Sequence, residues 1–182
     1  ADGRTFDALP GAITEARIVS RALGREAMVG DSEATRPKRA AVLERLACSA
    51  GVIHLATHGV SCEVEGARLL LDGDARRCAS DCGEWLMPED IMARGPLRAQ
   101  LAVLSACHSG SGQMAAGEGV VGFARALLGA GVWTVGVALW ALPDAEQASL
   151  MGRFYDRLTS SCASVDVGEA MREAMRETRA DM

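Results

Sequence analysis

Cys107 closes an apolar, strand-like run that begins at Leu101, LAVLSAC, and the chain then breaks at once into the polar, glycine-punctuated stretch HSGSG. A second apolar run, VIHLAT from Val52, ends in the same manner on His58 and Gly59. Cysteine is usually a small buried hydrophobe, so a thiol at the mouth of a loop calls for a chemical reading. The thiolate is the nucleophilic form, and an imidazole within hydrogen-bond reach lowers the thiol pKa or takes its proton. His58 is the candidate base for Cys107. Gly59 allows the backbone to approach a ligand closely, which suits an amide N–H aimed at a developing oxyanion. His108 adjoins Cys107 in sequence, where successive side chains diverge, so it is expected at the cleft or in solvent. His54 lies mid-strand in phase with Ala56 and His58 and reads as a hydrogen-bonded structural histidine.

The elements that must position this pair alternate between strand and helix. Ile13, Ala16, Val19 and Leu23 recur at helical spacing ahead of a capping Gly24. EAMVG, residues 26–30, fits a brief strand, and a helix follows with Pro37 near its start and Val42, Leu43, Leu46 and Ala47 inward. VIHLAT, ARLLLD, LAVLSA and VWTVGVALW supply further strands. Between them PEDIMARG reads as a short helix and EGVVGFARALLGAG as a longer one with Val120, Phe123, Ala124 and Leu127 inward. Two helices close the chain, one starting at Pro143 and Asp144, the other with Ser164 available as a cap. This order implies βαβ units and a mostly parallel sheet. In such a sheet all strand C-termini share one edge, where ligands bind, and adjacent strands lie about 4.8 Å apart. His58 and Cys107 both sit at such ends.

Composition narrows the function. With 182 residues, 49% hydrophobic and 24% charged, the chain can form one domain with a full core. A net charge of −5 argues against nucleic-acid binding, which relies on clustered basic residues. The longest apolar run, from Val132 to Leu142, is interrupted by Thr134 and Gly136 and is too short to span a bilayer. Six cysteines without a framework spacing point to a reducing compartment. Cys62, Cys78 and Cys82 with His54 or His58 have poor zinc spacing, so no metal is expected. Asp72 and Asp74 sit in a turn signal, and no Cys-x-x-Cys or phosphate-binding glycine fingerprint supports a redox or cofactor enzyme. The chain starts with Ala in a polar segment without a signal-peptide pattern, which reads as a piece of something longer.

In order, HLATHG, LAVLSACHSGSG, GEGVVGFARALLGAGVWTVGVALWALPD and LMGRFYDRL resemble the CHAT domain, a caspase-like module found beside tetratricopeptide (TPR) repeats in bacteria. The resemblance covers nearly the whole chain. It implies an α/β fold, a caspase-like three-layer sandwich with a mostly parallel central sheet flanked by helices, as a single domain over residues 1–182. The family's first core strand precedes LPGA and would be missing from this piece. The resemblance further implies a cysteine endopeptidase of the caspase, separase and legumain group, with His58 and Cys107 as the dyad and the amides of Gly59 and Cys107 as the oxyanion hole. His108 and Ser109, where the family has Glu or Asn and Thr, would face the substrate. Trp140 would wall the pocket for the residue before the scissile bond, and Asp144 would contact substrate. From the residues alone, Trp140 reads as packing and Asp144 as a helix cap. No cofactor is implied. The expected partners are a protein or peptide substrate and a TPR or other regulatory region that orders the loops, with residues 110–119 as the part that moves and the cytoplasm as the setting. The alternative is a catalytically silent caspase-like scaffold beside TPR repeats.

Overall fold

The computed structural model describes residues 9–30, 32, 35–49, 51–62, 66–72, 84–106, 118–138, 143–160 and 165–181. In chain order the elements are α1 (Pro10–Leu23), α2 (Arg39–Cys48), β1 (Val52–Ala56), β2 (Gly59–Cys62), β3 (Gly66–Asp72), β4 (Glu84–Leu86), α3 (Pro88–Arg94), β5 (Leu101–Ser105), α4 (Glu118–Gly129), β6 (Thr134–Val137), α5 (Asp144–Ser160) and α6 (Val167–Ala180). The class is mixed α/β, with a parallel sheet as expected. The chain divides into two compact units, one within residues 30–141 and the other formed by residues 9–29 and 142–182.

In the first unit, β1, β5 and β6 form a parallel sheet with β5 in the middle. All five residues of β5 are buried, which explains its unbroken apolar run, because a central parallel strand is covered on both faces. The register is uninterrupted, with Val52 opposite Leu101 and Ala56 opposite Ser105. A second sheet, antiparallel in the order β2-β3-β4, branches from the end of β1. It was not anticipated from the sequence beyond the strand at ARLLLD. Only three residues separate Cys62 from Gly66. A parallel crossover needs a dozen or more residues, so a connection this short forces a hairpin.

Helix α4 turns Phe123, Ala126 and Leu127 into the core, and Ala130 just beyond its end is buried too. Ala126, at 1% exposure, takes the inward place expected of the half-buried Ala124. Helix α2 buries Val42 and Leu46 as its spacing predicts. Helix α3 opens with Pro88, and the Asp90 carboxylate accepts the Met87 N–H at 2.9 Å, satisfying one of the donors a helix start leaves over.

In the second unit α1 and α6 each pack on α5. Helix α1 ends at Gly24 with φ 60°, and the N–H groups of Gly24 and Arg25 donate to the carbonyls of Arg21 and Ser20. This is a Schellman stop, in which glycine carries the left-handed backbone at little cost. A methyl added at Gly152 of α5 would meet Ile18 Cγ2 at 3.4 Å, an ordinary contact, so α1 packs beside this glycine with room for little more than a methyl. Phe154 and Tyr155 are fully buried, their rings edge-on at 5.0 Å. Glu15 is buried with them, and desolvation, followed by the charge of Glu15, holds the Tyr155 phenol well above its usual pKa. The α6 cap is Asp166, whose carboxylate accepts the Glu169 N–H at 2.8 Å; the expected cap, Ser164, lies outside the described residues. Residues 26–30 enter no sheet among the described residues, a departure from the expected strand. A short apolar run becomes a strand only where a partner edge meets it.

Candidate active site

His58 sits where the chain leaves one sheet for the other. Strand β1 ends its pairing with β5 at Ala56, β2 begins at Gly59, and only Thr57 and His58 lie between. His58 is buried, at 6% exposure. Its carbonyl accepts the N–H of Leu70 on β3 at 2.9 Å, and the Thr57 hydroxyl donates to the carbonyl of that same Leu70. The histidine backbone is thereby fastened to the middle of β3. Leu70, itself buried, pairs with Trp85 on β4.

The opposite rim is the end of β5. In the parallel register Ala56 stands opposite Ser105, so His58 follows the end of its strand by the same two positions as Cys107 follows Ser105. Ala106 is the last described residue on this side. A methyl built on Gly59 would lie 3.4 Å from Ala106 Cβ and 3.7 Å from Leu69 Cδ2. Gly59 therefore lies beside the residue bonded to Cys107, with room for about a methyl between them. His54 is half-buried at mid-strand, opposite Val103.

Cys107, His108, Ser109 and Trp140 lie outside the described residues, as does the side chain of Asp144, whose backbone begins α5 in the second unit. Of residues 110–119, those from Glu118 onward belong to α4 and the rest lie outside the description. Among the described residues no three His, Cys, Asp or Glu side chains form a cluster able to hold a metal, and no helix is long and apolar enough to cross a membrane.

Two features near His58 escaped the sequence reading. One is the Thr57–Leu70 fastening; its signal was a hydroxyl immediately before the histidine. The other is the Arg68 guanidinium, stacked 4.5 Å from the Trp85 ring centroid across β3 and β4. Such a pair becomes visible only when strand pairing is known.

The sequence matches the CHAT domain family across residues 1–182. This chain belongs to that family. The CHAT domain is a caspase-like, peptidase-related module, and the mixed α/β architecture with its parallel sheet is consistent with a caspase-like sandwich. The CHAT chain is also similar to tetratricopeptide repeat protein 28 of Mus musculus, at 30% identity over 195 residues, and to the protein of that name in Homo sapiens, at 28% over 195 residues. Each comparison covers 90% of this chain but only 8% of the relative's length. The CHAT chain thus matches a small part of much longer proteins named for their repeats.

Proposed function

We propose that this CHAT domain is a cysteine endopeptidase, a single functional domain over residues 1–182, with His58 as base and Cys107 as nucleophile. The observation that carries the reading is the nearness of Gly59 to Ala106, a methyl built on the glycine lying 3.4 Å from Ala106 Cβ, which sets the His58–Gly59 segment beside the residue bonded to Cys107. In this reading His58 takes the thiol proton and the Cys107 sulfur attacks the peptide carbonyl carbon. A C–S bond forms while the carbonyl electron pair moves to oxygen, where the amides of Gly59 and Cys107 donate hydrogen bonds. The His58 imidazolium protonates the departing amine nitrogen as the C–N bond breaks. Water, deprotonated by His58, then cleaves the thioester, releasing the acid product and restoring the thiol. His108, Ser109 and Trp140 shape the substrate cleft. A TPR or other regulatory region orders the loops, in the reducing setting of the cytoplasm.

A silent scaffold is the second reading, favoured by relatives whose names describe repeats and no reaction. A peptide bearing a thiol-reactive group separates the two. Labelling is read residue by residue, because Cys48 is an exposed free thiol and reacts without any catalytic role. The peptidase labels at Cys107, loses that label in His58→Ala, and yields a cleavage profile from a peptide library that Cys107→Ala abolishes. Identical library profiles from wild type and Cys107→Ala, with the regulatory region present, refute the enzyme.

A further inference from the structure

We infer that Thr57 is a positioning residue for His58, acting through Leu70; the inference rests on the peptidase reading for its consequence. Over Thr57 and His58 the chain exchanges a parallel partner, β5, for an antiparallel one, β3. Regular ladders run up to Ala56 and on from Gly59, so the residues whose torsions aim the imidazole lie in the gap between two sheets. Leu70 closes that gap from both of its backbone polar groups. Its N–H donates to the His58 carbonyl at 2.9 Å, and its carbonyl accepts the Thr57 hydroxyl. The first bond fixes the peptide following His58, and the second fixes Thr57 before it.

Leu70 is a firm anchor. It is buried at 8% exposure and paired to Trp85, which is itself buried. Thr57 suits the task because its β-branch restricts χ1, leaving the hydroxyl few directions to point. A valine would fill the same space without the hydrogen bond, and a serine would keep the bond without the branch. The hydroxyl thus acts on the orientation of the general base through the Leu70 backbone, and catalytic rates are sensitive to displacements of such groups by about 1 Å.

The test compares the 182-residue chain carrying Thr57→Val, Thr57→Ser and His58→Ala with wild type. Two readouts are taken: the pH dependence of iodoacetamide alkylation at Cys107, located by mass spectrometry, and the NMR titration of the His58 imidazole. Thr57→Val is expected to slow alkylation roughly tenfold at neutral pH and to move its pH midpoint toward that of His58→Ala. It also shifts the His58 titration, whereas Thr57→Ser stays within about twofold of wild type. Thr57→Ala makes the same comparison if the valine variant does not fold. The inference is overturned if Thr57→Val keeps the wild-type midpoint and His58 titration, or if serine and valine are equally impaired. A lower melting temperature with both titrations unmoved, the mark of a merely structural role, overturns it too. If His58→Ala alkylates like wild type, the dyad reading fails. The His58 titration alone then decides the positioning: a shift in valine restored by serine upholds it, and coincident curves overturn it.

Discussion

Gly59 tests the geometry of the rim most directly, because packing and catalysis ask different things of it. Among the described residues the glycines with positive φ are Gly24 and Gly131, so the Gly59 backbone is open to any L-residue. A methyl there meets Ala106 Cβ at 3.4 Å and Leu69 Cδ2 at 3.7 Å, which is ordinary contact. Gly59→Ala therefore gains about 0.4–1 kcal/mol from a less flexible unfolded chain, offset in part by the closeness of Ala106. Its stability is expected within about 1 kcal/mol of wild type, a shift of no more than roughly 2–4 °C in Tm for a chain of this size. Gly59→Val adds two further carbons to the same space and overpacks it, at a cost of about 1–3 kcal/mol. Thermal unfolding followed by circular dichroism reads both. Should Gly59→Ala melt more than about 6 °C below wild type, or Gly59→Val melt like it, the spacing between His58–Gly59 and the β5 end has been misread. A stable Gly59→Ala that has lost peptidase activity would assign the glycine to the substrate, since the methyl occupies space that folding leaves open.

Tyr155 is the chain's one tyrosine, so tyrosinate absorbance reports on it alone. Its phenol is held above the unfolded value, which is about 10, so the stability from the neutral form is present below that pH and lost above it. Absorbance at alkaline pH is expected to rise in one step, above the free-phenol range and together with unfolding; a step near the free value in a still-folded chain contradicts its burial. Phe123→Ala empties a core position of α4 that is 2% exposed and is expected to cost about 3–5 kcal/mol in urea unfolding, whereas a loss below about 1 kcal/mol places Phe123 outside the core. Asp166→Ala removes the α6 cap and is expected to cost about 0.5–2 kcal/mol by the same measurement, with Asp166→Asn recovering most of it.

Much of the fold was legible because its signals are local. Helical spacing and a following glycine mark α1 and its Gly24 stop, and an unbroken apolar run marks β5 as the doubly covered strand. The same logic placed His58 at a strand end, since one strand suffices to say where it stops. The antiparallel sheet was not legible from propensity, although the short link from β2 to β3 carried it. Residues 26–30 show the converse: their run of apolar residues was real, but among the described residues no partner edge meets it.

Of the candidate site, the sequence by itself determined which residue types stand at the ends of two apolar strands, because strand length and termination are written in neighbouring side chains. Only the tertiary structure decided that those strands are adjacent and in register, that Gly59 lies a methyl's width from Ala106, and that Leu70 holds Thr57 and His58 from a third strand. The physical reason is that a backbone hydrogen bond carries no sequence signature of its partner. Every residue offers the same N–H and C=O, and burial of the whole core selects which of them meet.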